Sequence, residues 1–264
     1  MIILMLALLG LCFGSFVNAL AWRLRHKRDF VKERSECTHC HHVLAWYDLV
    51  PVLSWLTLGG KCRYCKKSIE DSPLTEIAVA IAFVVSYISW PFGYDAVGVS
   101  LLSVWLLIVV LLAGLLLYDL RWMLLPDVLN LPLIGLGIIW AVTYQLGVLH
   151  HDVFRTVLEI GLGCMSVAGI YGALYAVSKG EWIGFGDVKL GLFIGSVLGW
   201  QRGLIAVLLA NIMAFLVVLP GLATGKINKR SRIPFGPFLI VATYIALLFG
   251  EQLVRWWVDF VFSA

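Results

Sequence analysis

Long apolar runs separated by short polar stretches dominate this chain. Runs on the scale of the roughly 20 residues that cross a bilayer as helix occupy 1–21, 74–90, 98–118, 128–148, 157–178, 203–221 and 236–250, and a shorter one covers 188–200. This pattern predicts an all-α polytopic membrane protein with about eight transmembrane helices. The first run has no basic residues ahead of it and carries Gly14, Ser15 and Asn18. Those positions suit a retained helix packed on a neighbour better than a cleaved signal peptide. The expected organisation is a first transmembrane helix at 1–21, a polar loop at 22–73 and a transmembrane core at 74–264.

Composition agrees: 61% of the 264 residues are hydrophobic and 14% charged, against about 45–50% and about 25% in globular chains. The net charge of +4 gains meaning from its placement. Segment 22–73 holds ten of the twenty Lys and Arg residues, among them Arg23, Arg25, Lys27, Arg28, Lys66 and Lys67. The positive-inside rule puts that segment in the cytoplasm and the N-terminus outside. Counting helices forward places 119–127, 179–187 and 222–235 on the same side, with Arg121, Lys179, Lys226, Lys229, Arg230 and Arg232; Lys189 lies just inside the next helix. Only Arg155, Arg202 and Arg255 fall on the other face. Anionic lipid accounts for this basic face, and no nucleic-acid partner is needed.

Within the loop, Cys37 and Cys40, then Cys62 and Cys65, form two C-x2-C pairs separated by twenty-one residues. This is close to zinc-ribbon spacing: each turn aims two thiolates at one ion, and four close a tetrahedral structural site. Two disulfides are the competing arrangement, disfavoured by a reducing cytoplasm. His39, His41 and His42 read as a solvated polar turn.

Three carboxylates stand at predicted helix ends. Asp127 follows Pro126 and suits an N-cap. Asp187, in the stretch EWIGFGDVKL (181–190), could also cap a helix, yet Gly184 and Gly186 beside it allow unusual backbone angles and close approach of another chain. Asp119 ends an apolar helix, where the backbone dipole disfavours a carboxylate, although Arg121 offers a salt-bridge partner. Asp119 and Asp187 are expected at one cytoplasmic depth. Two neighbouring carboxylates share a proton and work as base and acid together, which is aspartic-protease chemistry. Helix-end polarity casts Asp187 as the base and Asp119 as the initial acid.

Several segments, in order, resemble the type IV prepilin peptidases, bifunctional leader peptidases of the GxGD class. These are GSFVNALAWRL (14–24), PVLSWLTLGGKCRYC (51–65), PLTEIA (73–78), YDLRWMLLPDVLNLPL (118–133), GFGDVKL (184–190) and IPFGPFL (233–239). The resemblance covers nearly the whole chain and puts the catalytic aspartates on Asp119 and Asp187, with Gly184 and Gly186 in the loop beside them. It implies a multi-pass protein of the bacterial inner membrane, with prepilins or pseudopilins as substrates. Their short basic leader is cleaved at the cytoplasmic face, and the new N-terminal residue is methylated using S-adenosylmethionine. The family associates methylation with the zinc-loop region, including the glycine that falls on Gly60. Glu76 is a second candidate by position, and a tight turn into the second cysteine pair explains Gly59 and Gly60 equally well.

Arg121 and Arg25 depart from the family pattern without touching aspartates or cysteines, and Lys189 reads as reaching for the interface. The alternative of another class is a proton-coupled transporter using the same carboxylates. It calls for inverted repeats and mid-membrane acids, which the sequence does not display.

Overall fold

The computed structural model describes residues 1–29, 33–69, 71–224 and 233–262. Lys226, Lys229, Arg230 and Arg232, used in the charge count above, lie outside the described residues. Among the described residues eight α-helices follow one another: α1 (Ile2–Arg25), α2 (Leu53–Thr57), α3 (Leu74–Ile88), α4 (Ala96–Trp122), α5 (Asp127–Gly147), α6 (Val153–Ser178), α7 (Phe185–Ala223) and α8 (Gly236–Phe262). Among the described residues, β pairing is limited to two isolated bridges, and six helices are long and apolar enough to cross a membrane. The protein is a multi-pass, all-helical membrane protein, as the apolar runs predict.

The chain divides into two compact units. One comprises Met1–Ile88 with Val109–Leu117; the other comprises Ser89–Ile108 and Tyr118–Ala264.

In the N-terminal unit, α1 and α3 meet along a seam of small residues. Gly10 and Gly14 are spaced as G-x-x-x-G, the spacing that lets two apolar helices approach backbone to backbone. A Cβ on Gly10 would lie 2.5 Å from the Cα of Ala80, and one on Gly14 would overlap the backbone of Glu76. Val17, Val79 and Phe83 are buried along this contact, with the Phe13 and Phe83 rings 5.9 Å apart.

In the second unit, α6 and α7 cross equally tightly. A Cβ on Gly163 would run into the carbonyl of Gly195, and one on Gly195 into that of Gly163. Helix α7 is not one rod. Gly199 has φ 70° and ψ −176°, a conformation essentially reserved for glycine, and there the chain doubles back. A Cβ on Gly203 would sit 4.0 Å from the Cα of Gly195, whereas eight residues of unbroken helix advance about 12 Å. The runs expected at 188–200 and 203–221 are thus two legs of one element. Against the first leg packs α5, where Gly137 leaves room for Phe193. Near the turn, Arg202 pairs with Glu251 of α8 at 2.8 Å.

Helix starts that the apolar pattern does not mark are fixed by caps. Asp95 accepts from the N–H of Gly98 at 2.9 Å, and Asp152 from that of Arg155 at 2.8 Å. The expected cap at Asp127 is corrected: Pro126 is the N-cap, and Asp127 is the first helical residue. Its carboxylate reaches Nζ of Lys189 on α7 at 2.5 Å. An unpaired cation nearby is the stronger attractor, and Lys189 therefore ties two helices together instead of reaching alone for the interface.

The close crossing of α6 and α7 makes a direct prediction. Gly163→Ala should cost about 1–3 kcal/mol through overpacking, visible as a lower melting temperature in detergent. Gly161→Ala, whose Cβ would meet nothing within 4 Å, should not. Equal melting of the two variants would show that the backbones do not touch at Gly163.

Candidate active site

Helix α4 runs one turn past its expected end, closing at Met123 in the left-handed conformation. Asp119 therefore sits in the last turn and is only 5% exposed. A carboxylate there opposes the dipole of its own helix, so something else must receive it. That something is the first residue of α8: Asp119 Oδ2 accepts the backbone N–H of Gly236 at 3.1 Å. A Cβ at position 236 would lie 2.6 Å from the same oxygen, so a side chain there would push the carboxylate aside. Asp119 thus faces two helix ends, its own C-terminus and the N-terminus of α8. The dipole argument no longer assigns it the proton by itself. The Arg121 guanidinium lies 5.9 Å from the Trp122 ring centre.

Asp187 stands in the first turn of α7. Its Oδ2 accepts the N–H of Gly184 at 3.2 Å, the reach-back half of a capping box. Neither Gly184 nor Gly186 uses left-handed backbone. Gly186 is required for packing: a Cβ there would meet that of Leu125 at 2.8 Å. Leu125 also contacts the position of a Gly236 Cβ at 3.4 Å. One leucine therefore lies against the glycine preceding Asp187 and the glycine bound to Asp119. Chain order agrees, because two helices separate Asp119 from Asp187, and the two legs of α7 separate Asp187 from Gly236.

Sequence reasoning missed the supports of this pair. Asn130 is fully buried and donates from Nδ2 to the Leu125 carbonyl at 3.3 Å, holding the loop that carries the leucine. Tyr171 of α6 is buried, its ring 6.1 Å from that of Phe235, the residue before Gly236. The segments 118–133 and 233–239 contain Leu125, Asn130 and Gly236, but contacts made by backbone N–H and carbonyl groups leave no side-chain signature.

In the N-terminal unit, the four cysteines converge. The sulfurs of Cys37, Cys40, Cys62 and Cys65 all lie within 4.8 Å of one another, and those of Cys37 and Cys65 are 3.8 Å apart. A tetrahedral zinc with Zn–S of about 2.3 Å sets sulfurs about 3.8 Å apart, so the donor set fits that ion, and the thiols are free of disulfides. The two halves repeat each other. Bridges Glu36–Val43 and Lys61–Ser68 flank the pairs at identical offsets, and His41 and Lys66, each one past the second cysteine, have φ 55° and 61°. Crowding shows in the thiols. Burial pushes Cys37 up, but backbone N–H groups and neighbouring sulfurs bring it down to about 7. The His42 backbone lowers Cys40, yet burial and the adjacent sulfurs leave it at about 11. A divalent cation is the natural partner for four such groups. His41 contacts Glu36 and the His42 ring lies 3.6 Å from that of Tyr64, in keeping with a polar turn. Asp48 fastens the knot, accepting from Arg63 at 2.7 Å and Tyr64 at 3.2 Å.

Gly60 and Glu76 lie on two sides of the short helix α2. Glu76, in the first turn of α3 and buried, accepts the N–H of Val52, the N-cap of α2, at 2.6 Å. Val52 has φ 60°, a costly conformation for a β-branched residue. Gly60 has φ 69°, and a Cβ there would press on the indole of Trp55 at 3.0 Å. Elemental analysis of the purified protein should find one zinc per chain, lost in Cys62→Ser together with protease resistance of 22–73. A metal-free chain with all four cysteines intact would refute the assignment.

Residues 8–90 match the family model of the bacterial peptidase A24 N-terminal domain. Residues 102–219 match that of the type IV leader peptidase family. Among curated relatives, the prepilin leader peptidase/N-methyltransferase of Pseudomonas aeruginosa is 32% identical over 278 residues, covering 96% of this chain and 92% of its own. The protein of that name from Stutzerimonas stutzeri is 31% identical with the same coverage. That from Pseudomonas putida is 33% identical, over 93% of this chain and 90% of its own. No solved structure matches. With both halves matched, and relatives aligned along almost all of its length, the chain belongs to the type IV leader peptidase family.

Proposed function

We propose that this protein cleaves the short basic leader of type IV prepilins or pseudopilins at the cytoplasmic face of the bacterial inner membrane, using Asp119 and Asp187, and N-methylates the residue exposed by the cut. The observation that carries the reading is that Leu125 packs against both the glycine before Asp187 and the glycine bound to Asp119, while each carboxylate has one oxygen held by a glycine N–H. The relatives' shared name supports the substrate class and both activities. The excess of basic residues in 22–73 supports the cytoplasmic side. There the aspartates meet a substrate whose basic leader stays with the lipid headgroups while its apolar stem remains in the bilayer.

The chemistry needs both carboxylates. One takes a proton from water, and the hydroxyl oxygen bonds to the scissile carbonyl carbon. The other gives its proton to the carbonyl oxygen, and on collapse the departing amine nitrogen is protonated as the C–N bond breaks. Gly236 and Gly184 each hold one oxygen, which leaves the second of each pair for water and substrate. Both acids stand in terminal turns of their helices, which supports this reading over a proton-coupled carrier built on mid-span acids.

Methylation belongs in this reading to the N-terminal unit, with zinc fixing the loop through Cys37, Cys40, Cys62 and Cys65. S-adenosylmethionine, when bound, supplies an electrophilic methyl group for the amine nitrogen. Gly60 and Glu76 shape the wall around α2.

In a detergent-solubilised assay with a purified prepilin, Asp119→Asn and Asp187→Asn should each abolish leader cleavage. Gly236→Ala should lower kcat by about 10²-fold by displacing Asp119. Normal cleavage by either asparagine variant would remove the pair from the mechanism.

A further inference from the structure

The polar loop of the N-terminal unit carries an apolar surface that its own packing does not use. Trp46 is 79% exposed, Leu53 62% and Leu56 60%, and Tyr47 and Leu49 are exposed beside them. Trp46 opens a single 3₁₀ turn, Trp46–Asp48. Leu53 and Leu56 stand three apart on α2 and so share one face of it. Large apolar side chains grouped on a surface in this way mark a contact with another body.

The position of α2 says what that body is. Its other side, through Ser54, Trp55 and Leu58, shares the walls of one cavity with Asn18, Ala19 and Trp22, so α2 stands level with the last turns of α1. The Val52 N–H at its start meets Glu76 in the first turn of α3. With 24 residues, α1 is about 36 Å long, only about one turn more than the hydrocarbon core of about 30 Å. An element beside Asn18 to Trp22 therefore lies where acyl chains give way to headgroups. The apolar surface is continuous there with that of the membrane helices, because Phe16 of α1 and Leu74 and Ile77 of α3 are exposed as well. Thr57, exposed on α2, turns its hydroxyl back to the Leu53 carbonyl at 2.9 Å, which frees that side chain from any need for water. Trp and Tyr are the side chains that populate this zone. Exposed Lys61, Lys66 and Lys67 on the second knuckle bring positive charge for anionic headgroups.

We propose that α2 and the turn before it insert into the surface of the bilayer, with Leu53 and Leu56 among the upper acyl chains and Trp46 and Tyr47 at headgroup level. The short helix then acts as an interfacial anchor, and the four-cysteine loop is moored to phospholipid between its two helices as well as at its ends. The knuckles are coupled to this anchor. Arg63, next to Cys62, donates to Asp48 at 2.7 Å and lies over the Tyr47 ring at 5.1 Å, which ties the second cysteine pair to the inserted turn. The assignment holds whatever reaction the protein carries out, since it rests only on the helices that cross the membrane.

Photolabelling of the full wild-type chain tests this without any substitution. The chain is placed in nanodiscs of phosphatidylethanolamine and phosphatidylglycerol that contain a phospholipid with a diazirine on its upper acyl chain, and labelled residues are mapped by mass spectrometry. Label should appear within 46–57 as well as on α1 and α3. Leu53→Asp combined with Leu56→Asp should lose the label in 46–57 and keep it on α1. Label absent from 46–57 in the wild type while α1 is labelled, or unchanged in the double variant, overturns the assignment. A benzophenone side chain at position 56 identifies the contact from the protein side. A phospholipid adduct there is expected, whereas cross-linking to another segment of the chain or to added prepilin in place of lipid assigns the face to that occupant and overturns the proposal.

Discussion

A carboxylate in the last turn of an apolar helix is in the wrong place electrostatically, and the second unit is arranged around the remedy. Asp119 is held by a single N–H from Gly236, offered by the first residue of a helix that begins 117 residues later. For that donor to arrive, the chain must cross back and forth through α5, α6 and both legs of α7. The hairpin at Gly199 is part of the requirement, because one unbroken helix would carry α8 to the opposite end. The glycine crossing of Gly163 and Gly195, the ion pair of Asp127 with Lys189 and the seating of Leu125 all fix helices whose ends compose the site.

The N-terminal unit uses the same device for another purpose. Small residues bring α1 and α3 together, so that Glu76 and Asn18 come to one place beside the four-cysteine knot. The two knuckles then set the geometry of the loop, and α2 is gripped from both sides. Strain at Val52 is offset by the bond that its N–H makes to Glu76. Such strained, over-determined segments are common at binding sites.

The long helices were legible because each leaves an apolar run, and the four-cysteine knot because cysteine spacing encodes its turns. Asp119 stood out as a misfit, which a helix end makes visible in one dimension. Asp127 did not: its pairing with Lys189 joins residues sixty-two apart, and a local cap was the simpler expectation. Gly236, Leu125 and Asn130 were opaque for a related reason. Their contributions are a backbone N–H, a packing surface and a bond to a carbonyl, and none of these requires a telling residue type at a telling spacing. Gly184 and Gly186 were noticed for backbone freedom, whereas the fold uses Gly186 for its missing side chain.

The central claim is that two carboxylates act as one proton-sharing unit. The most direct measurement is the pH dependence of kcat/KM for leader cleavage by the wild-type enzyme. A shared proton predicts a bell-shaped profile with two ionisations belonging to the pair. A rate that stays flat through the carboxylate range, or that follows a single ionisation, would contradict it.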